Sequence, residues 1–326
     1  MKLFALTFGG PETPSTHFRI HQYRQAFLEH GVQIEHALAK EFEDFERLAE
    51  YDVVLLQKTL LSRSKIKRIA KHAKVLIYDA DDRIWMRAGK PYGLVTRTKL
   101  QRRLACTVGS ADLCIAANGV IAADQRAAGA RRVETLPMSV DTNLWNTEGR
   151  QPVAGQLTVG WSGSPGNLVF LEPLVPVMSE LLEIYPQLRF SVHCGQRPSF
   201  EGLEFTHIPY EPGREPDAVR TFDIGLLPLP DDAFVHGKSP IKALQYYACG
   251  AVVVGQDVGA TAELLEHDVC ALTVNAKRSW KSSLSRLIED EALRVRLAEA
   301  GQDRIQAKHS MTAVVDRYLS LLRSAL

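Results

Sequence analysis

The sequence predicts an α/β protein made of two doubly wound domains, and two observations indicate this class. Short apolar runs such as KLFALTF, DVVLLQK and KVLIYDA alternate with segments of helical periodicity in the first half of the chain. The second half restarts the same alternation at LTVGWSGSPGN. Alternation of buried strands with amphipathic helices is typical of parallel sheets that helices cover on both faces. The 326 residues are enough for two such domains, each with its own core.

The order of the elements predicts where the domains begin and end. In the first half, QIEHALA and LCIAAN add two further strands, and helices are expected over HFRIHQYRQAFLEHG and SKIKRIAKHA. The second half continues with the strands RFSVHCG, LEFTHIP, DIGLLPLP, AVVVG and CALTV. The polar stretch NTEGRQPVAGQ interrupts the pattern and is predicted to be a linker. We therefore expect an N-terminal domain over residues 1–148, a linker over 149–156 and a C-terminal domain over 157–310.

Composition disfavours several other classes of protein. The apolar and charged fractions are those of an ordinary folded chain, so disorder is not indicated. The five cysteines form no C-x-x-C pair, which disfavours a disulfide framework and a zinc site and is consistent with a reducing cytoplasm. The opening MKLFALTFGG is expected to be the first strand rather than a signal peptide, and no run is long enough to span a bilayer.

The charge of the chain is unevenly distributed. Residues 1–150 carry 23 Lys and Arg against 17 Asp and Glu, whereas the remainder carries 16 against 21. The excess of cations is concentrated in the region Gln57–Arg103. Such a patch suits an anionic partner, for example a phosphorylated acceptor or an acidic membrane, although a solvated helix face is the alternative interpretation. Nucleic acid is disfavoured because the segment lacks interleaved aromatic residues and a known reading motif.

The segment GKSPIKALQYYACGAVVVG predicts a short helix between two buried strands. Ser239 is expected to cap this helix, Pro240 suits its first position, and Gly250 marks its end. A helix that follows a parallel strand begins at the carboxyl end of the sheet, where open α/β sheets bind ligands. The N–H groups of its first turn and the charges of Lys238 and Lys242 suit an anionic phosphate. The alternative is that both lysines are solvated surface residues.

A glycine-rich loop, GWSGSPGN, follows the first strand of the second half. Its glycines, Gly160, Gly163 and Gly166, do not match the G-x-G-x-x-G fingerprint, so a nicotinamide-dependent enzyme is disfavoured. The small residues Ser162 and Ser164 allow the backbone to approach a ligand closely and to donate N–H groups to phosphate. Together with the basic first half, this loop indicates a transferase that uses a diphosphate-linked donor.

Several long segments carry a family resemblance in the same order along the chain. FDIGLLPLPDD followed by GKSPIKALQYYACGAVVVGQDVGATAELLEH resembles the donor-binding region of retaining glycosyltransferases of family 4. PSTHFRIHQYRQAFLEHGVQIE, IYDADDRIW, LPMSVDTNLW and VGWSGSPGN resemble a bacterial glycan-synthesis branch of that family. The resemblance implies the GT-B fold, in which two doubly wound Rossmann-like domains face a central cleft. It also implies that residues 311–326 form a helix that crosses back to the N-terminal domain.

The same resemblance implies an activity and a donor site. The activity is metal-independent transfer of a sugar, with retention, from a nucleotide diphosphate sugar to a glycan or lipid-linked acceptor. Lys238 and Lys242 would act at the donor diphosphate, while Gln245 and Gly237 occupy the two glutamate positions of the family's E-x7-E motif. The motif is therefore absent, and Gln245 would hydrogen bond to ribose without a charge. The implied donor-binding residues are Gly10, Ser162, Gly163, Ser164, Lys238, Ser239, Pro240, Ile241, Lys242 and Gln245.

An acidic cluster, Asp79, Asp81 and Asp82, follows a buried strand of the first half. We interpret Asp81 as a further catalytic candidate, and Asp79 and Asp82 as candidates for acceptor-side contacts. Two alternatives stay open, because carboxylates at this spacing suit a divalent cation and because Asp82 also suits a cap or an ion pair with a neighbouring arginine. His17 and Arg19 are further acceptor-side candidates, and a structural role for His17 is the alternative.

The expected partners are a nucleotide sugar and a glycan or lipid-phosphate acceptor. The enzyme is expected in the cytoplasm, in peripheral contact with an anionic membrane through Gln57–Arg103, and no metal, cofactor or nucleic acid is expected to be required. Two other functions stay open. A sugar-nucleotide epimerase of the same fold would turn over the donor without an acceptor, and a catalytically inactive binding protein would be consistent with the missing glutamates.

Overall fold

The computed structural model describes all 326 residues, which separate by their contacts into two compact units. The first unit consists of Met1–Ser139, Asp232–Ser239 and Met311–Leu326, and the second of Val140–Asp231 and Pro240–Ser310. Each unit contains one six-stranded sheet. All of the strand pairs in both sheets are parallel. The prediction of an α/β fold with two doubly wound sheets is confirmed.

The first unit holds six strands and six helices. Its strands are β1 (Lys2–Thr7), β2 (Gln33–Leu38), β3 (Val53–Gln57), β4 (Leu76–Ala80), β5 (Leu113–Ala116) and β6 (Val133–Thr135). Its helices are α1 (Pro14–Arg19), α2 (Arg24–Glu29), α3 (Arg63–His72), α4 (Leu94–Ser110), α5 (Gly119–Ala127) and, from the end of the chain, α13 (Met311–Arg323). The strand order is β2-β1-β3-β4-β5-β6. Strands β3, β4 and β5 are buried throughout, which explains why they read as continuous apolar runs.

The second unit has the same plan. Its strands are β7 (Leu157–Ser162), β8 (Leu188–Cys194), β9 (Thr206–Pro209), β10 (Ile224–Leu227), β11 (Val252–Gln256) and β12 (Ala271–Val274). Its helices are α6 (Leu168–Leu171), α7 (Val175–Ile184), α8 (Glu215–Arg220), α9 (Ile241–Ala248), α10 (Gly259–Leu265), α11 (Trp280–Glu289) and α12 (Glu291–Arg304). The strand order is β12-β11-β10-β7-β8-β9.

Each sheet has one point at which the order of its strands reverses. In the first sheet the chain adds β2 on one side of β1 and β3 on the other, and in the second it adds β8 and β10 on opposite sides of β7. At such a switch point the loops after the two neighbouring strands diverge and leave a crevice at the carboxyl edge, where open α/β sheets bind ligands. The fold therefore has one crevice at β1 and β3, and another at β7 and β10.

Helix α13 packs on the core of the first unit. The ring of Tyr318 lies edge-on to the rings of Tyr23, at 5.3 Å, and Phe27, at 5.1 Å between centroids. Val314 and Leu322 are buried in the same cluster. No helix of the chain combines the length and apolar character that are needed to span a membrane.

The segment Asp232–Ser239, just before α9, belongs to the first unit, whereas the sequence analysis expected it in the C-terminal domain. Hydrogen bonds explain the difference. The Asn118 side-chain amide donates to the Gly237 carbonyl at 3.0 Å, and the Ser239 hydroxyl donates to the Asp81 carbonyl at 2.9 Å. These bonds join residues more than a hundred positions apart, so no local pattern reports them.

Candidate functional site

Helix α9 follows β10 and therefore begins at the switch point of the second sheet. Gly250 has φ +83°, a conformation that glycine adopts without strain, and its N–H donates to the Tyr247 carbonyl at 3.0 Å, so the predicted helix end is confirmed. The predicted cap is wrong. Pro240 occupies the N-cap position, and no side chain caps the helix. The hydroxyl of Ser239 is used in the bond to the Asp81 carbonyl instead.

The side chain of Lys242 contacts the end of β7. Its ammonium group donates to the Ser162 hydroxyl at 3.3 Å, and that hydroxyl lies 2.9 Å from Nδ1 of His193. Because an ammonium group only donates, the Ser162 hydroxyl accepts from Lys242 and is free to donate to the ring of His193. Burial, together with the charge of Lys242, lowers the pKa of His193 to about 4, so the ring is neutral at neutral pH, and its Nδ1 accepts this bond in the tautomer that carries the proton on Nε2.

Lys242 has no carboxylate partner. It forms no ion pair, and burial lowers its pKa to about 8, an effect that the charge of Glu215 partly offsets. A lysine that has lost hydration without forming an ion pair is stabilised by an incoming anion. The structure therefore brings together Ser162 and Lys242, two residues predicted from the sequence, in an arrangement suited to an anionic ligand.

The loop after β7 presents small residues beside this lysine. The N–H of Gly163 donates to the His193 carbonyl at 3.1 Å, and a Cβ atom at Gly163 would lie 2.3 Å from the indole ring of Trp161. The backbone here is therefore restricted to glycine by packing. Ser164, the next residue, is exposed to solvent, and Ile241 in the first turn of α9 is half-buried.

Gln245 lies one turn after Lys242 on α9. Its side chain is only 3% exposed, and its carbonyl oxygen Oε1 has no hydrogen-bond donor. The next residue, Tyr246, is fixed from both sides, because its hydroxyl accepts from the Ser162 N–H at 2.9 Å and donates to the Leu226 carbonyl at 3.3 Å. A buried carbonyl without a donor is unfavourable, so a ligand hydroxyl that donates to Gln245 would be favourable.

A second polar cluster lies at the carboxyl edge of the first sheet. Lys58, immediately after β3, has φ 46°, which is unusual for a residue with a side chain. Its ammonium group lies 2.5 Å from Asp82, 2.6 Å from the Ser15 hydroxyl and 3.5 Å from Asp81. Burial raises the pKa of Asp82, with the charge of Lys58 opposing. Asp81 keeps one buried carboxylate oxygen, Oδ1, that has no hydrogen-bond donor.

Arg19 and Asp79 form a buried ion pair in the same unit. The guanidinium group binds both carboxylate oxygens, with Nε 2.9 Å from Oδ2, and its Nη1 donates to the Leu136 carbonyl at 2.9 Å. Neither side chain is exposed beyond 2%. This placement supports a structural role for both residues rather than the acceptor-side role that the sequence suggested.

The remaining predicted residues of the first unit are His17, Gly10, Lys238 and Asp82, of which Lys238 lies close to the Lys58–Asp82 pair. His17 is exposed on α1, and Gly10 lies in the turn after β1, where its carbonyl accepts from the Thr13 N–H at 2.9 Å. Lys238 is half-buried, and burial lowers its pKa, with the charge of Asp82 opposing. Asp82 binds Lys58 rather than the neighbouring Arg83, whose guanidinium group binds Asp124.

Three groups that shape these clusters were not predicted from the sequence. His193 is the penultimate residue of β8, Lys58 immediately follows β3, and Glu215 begins α8. His193 and Lys58 could have been predicted as site residues, because a polar side chain at the carboxyl end of a buried strand lies where α/β sheets bind ligands. Glu215 had no such signal, because its nearness to Lys242 depends on the packing of α8 against α9.

Part of the chain matches a known protein family, and the whole chain is similar in fold to several solved structures. Residues 172–320 match the family described as glycosyl transferase-like. Sucrose-phosphate synthase from Thermosynechococcus elongatus is 15% identical, with a TM-score of 0.76, and the alignment covers 99% of this chain and 98% of that one. Anabaena Alr3699/HepE, solved with UDP-glucose, is 16% identical over 99% of both chains, with a TM-score of 0.66. No curated protein matches the sequence.

An alpha-glucosyltransferase solved with UDP and a 13-mer DNA is also similar, at 12% identity and a TM-score of 0.64 over 99% of both chains. At these identities the likeness shows the fold, and the predicted GT-B fold is confirmed. The family match includes α9 with Lys242 and Gln245. Residues 172–320 therefore match a glycosyl transferase-like family, and the chain as a whole has the GT-B fold.

Proposed function

We propose that the protein transfers a sugar from a uridine diphosphate sugar to an acceptor hydroxyl, with retention at the anomeric carbon and without a metal ion. The observation that carries this proposal is the Lys242 ammonium group, which has no carboxylate partner and lies at the switch point of the second sheet beside the uncapped start of α9. Two similar structures were solved with UDP or UDP-glucose, which favours uracil as the base of the donor.

The proposed donor contacts divide by chemistry. Lys242 and the N–H groups of the first turn of α9 bind the diphosphate, because both offer donors to an anion. The N–H groups of Ser162 and Gly163 already donate within the protein, so the loop after β7 contributes the N–H of Ser164 and its small side chains. Gln245 accepts a hydrogen bond from a ribose hydroxyl, which would satisfy its buried Oε1. Lys238 is a further cation for the diphosphate, and Asp81 is assigned to the donor sugar or the acceptor hydroxyl because one of its oxygens has no donor.

In the proposed reaction, the bond between the anomeric carbon and the diphosphate oxygen breaks, and UDP leaves with the electron pair. The acceptor oxygen forms a bond to the same carbon on the same face of the sugar and loses its proton to the leaving phosphate. Negative charge develops on the diphosphate as the bond breaks, so Lys242 and the positive end of α9 stabilise the transition state more than the ground state. These charges supply the stabilisation that a divalent cation would otherwise provide.

The acceptor is proposed to be a glycan or a lipid-linked glycan, used at the cytoplasmic face of an anionic membrane. The support is the cationic region Gln57–Arg103, in which most of the lysine and arginine side chains of α3 and α4 are exposed. Basic residues near an anionic leaflet each contribute about 1 kcal/mol to binding. The proposal does not require a nucleic acid or a bound cofactor.

Thermal unfolding with UDP, GDP, ADP and TDP tests the donor site, in EDTA and in Mg²⁺ or Mn²⁺. A ligand that binds only the folded state raises the midpoint, so UDP in EDTA should raise it for the wild type and much less for Lys242→Ala. Stabilisation that needs a metal would contradict the metal-free donor site and would point to Asp81 and Asp82. If no nucleotide binds, the inactive binding protein is favoured, and turnover of a UDP-sugar without an acceptor would favour the epimerase.

A further inference from the structure

The imidazole ring of His193 is held in place at the carboxyl edge of the second sheet. Strands β7 and β8 pair there with Ser162 opposite His193, so the two side chains emerge on the same face. The Ser162 hydroxyl lies 2.9 Å from Nδ1, and the His193 carbonyl accepts from the Gly163 N–H at 3.1 Å. Tyr210, just after β9, packs on the ring with 6.0 Å between the centroids. The position of the imidazole is therefore set from three neighbouring strands.

The bond to Ser162 also determines which ring nitrogen carries the proton. The Ser162 hydroxyl accepts from the Lys242 ammonium group and donates to Nδ1, which leaves the proton of the neutral ring on Nε2. The ring is neutral at neutral pH, because burial and the charge of Lys242 lower the pKa of His193 to about 4. The charge of Glu215 opposes this lowering, and that of His207 adds to it. His193 therefore presents one uncharged N–H donor.

This donor has no acceptor within the protein. Nε2 of His193 makes no hydrogen bond, although the residue is only 3% exposed. The atom is not sealed from the surface, so a ligand can reach it. A largely buried N–H without an acceptor is unfavourable, and an oxygen atom supplied by a ligand would satisfy it.

We propose that His193 donates its Nε2–H to the same diphosphate that Lys242 binds, as a neutral hydrogen-bond donor. The Ser162 hydroxyl lies 3.3 Å from the Lys242 ammonium group and 2.9 Å from His193, so one diphosphate can accept from both side chains. A neutral donor suits this place, because a second cation beside the buried Lys242 would be repelled. Ser162 is then a positioning residue that orients both donors. This inference rests on the proposed function, because it assigns a further residue to the donor diphosphate.

Titration with inorganic pyrophosphate and with UDP tests the bond, because two substitutions separate the functions of the ring. The amide of His193→Asn can accept from Ser162 at the place of Nδ1, whereas that of His193→Gln can donate at the place of Nε2. His193→Asn should lower the affinity for pyrophosphate by about 10- to 100-fold, as expected for a hydrogen bond to a charged group, and His193→Gln should retain most of it. His207→Asn is the matched control and should leave the affinity unchanged, since Nε2 of His207 already lies 2.9 Å from the Cys194 carbonyl.

The outcomes separate this inference from the proposed function. Equal losses in His193→Asn and His193→Gln, or a similar loss in His207→Asn, would show that the ring acts through packing. Binding by the wild type that is unchanged in His193→Asn would overturn the role of His193 alone. If the wild type binds neither pyrophosphate nor UDP, the proposed sugar transfer fails as well.

Nitrogen NMR of the protein with isotopically labelled histidine gives a readout that packing alone does not move. The signals of His193 are identified among those of the ten histidines by their loss in His193→Gln. At neutral pH the wild-type ring should carry its proton on Nε2, and saturation with pyrophosphate should shift the Nε2–H signal. In Ser162→Ala the tautomer should no longer be fixed, so both protonated forms should appear. A proton on Nδ1 in the wild type, or an Nε2–H signal that pyrophosphate leaves unchanged, would overturn the inference.

Discussion

The ammonium group of Lys242 lies 3.3 Å from the hydroxyl of Ser162, so a lysine in the helix after β10 contacts the end of β7. These two strands flank the switch point of the second sheet. The bond directs the ammonium group over the carboxyl edge of the sheet and uses only one of its three N–H donors. The other two remain for a ligand at the place where α/β sheets bind one.

Replacement of Lys242 should weaken nucleotide binding more than it changes stability. A hydrogen bond to a charged group contributes about 1.5–3 kcal/mol, so Lys242→Ala should lower the affinity for UDP by about 10- to 100-fold. Lys242→Arg keeps the charge and should retain part of the affinity. Isothermal titration with UDP measures both effects. Lys277→Ala removes an exposed lysine of the same unit and is the matched control. A similar loss in Lys277→Ala would show that the effect is one of net charge.

The affinity for UDP should fall as the pH rises through about 8, because burial lowers the pKa of Lys242 to about 8. The diphosphate binds the protonated amine, so binding raises this pKa and takes up a proton at alkaline pH. Affinity should therefore be nearly constant from pH 6.5 to 7.5 and decline above pH 8, approaching a tenfold loss per pH unit well above the pKa. In Lys242→Arg the decline should disappear. An unchanged decline in that variant would place the titrating group elsewhere.

The fold was predictable because burial leaves a periodic signal, whereas the partners of polar groups do not. Strands β3, β4 and β5 are buried throughout and appear in the sequence as apolar runs. Arg19 and Asp79 are 60 positions apart, so their pairing depends on the packing of α1 against the sheet. Ser239 has the residue type and position of a helix cap, but its hydroxyl binds the Asp81 carbonyl. Lys242 could be predicted as a phosphate ligand because the start of a helix is recognisable from a few consecutive residues.

Gln245 should contribute to the binding of the nucleoside but not of the diphosphate. Its buried Oε1 has no donor in the free protein, and a ribose hydroxyl would supply one. One such bond contributes about 0.5–1.5 kcal/mol, so Gln245→Met should lower the affinity for UDP by about two- to tenfold and leave that for pyrophosphate unchanged. Isothermal titration with both ligands measures the difference, and Gln187→Met, at an exposed position, is the control. Equal losses for both ligands would contradict a ribose contact.

The same variant has an expected effect without ligand. Because it removes a buried carbonyl that lacks a donor, Gln245→Met should not lower the free energy of unfolding. Urea denaturation measures this quantity. A loss of several kcal/mol would show that the amide is needed for packing and that its effect on UDP binding is indirect.

The ion pair between Arg19 and Asp79 should control the stability of the first unit. Removal of one partner from a buried pair costs about 3–5 kcal/mol, because the other charge is left without compensation. Arg19→Met should therefore lower the free energy of unfolding by about this amount, as measured by urea denaturation. Arg47→Met breaks an exposed pair with Glu35 and should cost about 1 kcal/mol or less.

The pH dependence of Arg19→Met distinguishes a buried charge from lost packing. Burial already raises the pKa of Asp79, with Arg19 opposing, so the pKa rises further when Arg19 is removed. The folded variant then binds a proton that the unfolded chain releases above about pH 4, and its stability should fall as the pH rises from 5 to 8. The double variant Arg19→Met/Asp79→Leu should recover most of the stability and lose this dependence. If the double variant is as unstable as Arg19→Met at every pH, lost packing rather than an unpaired carboxylate explains the cost.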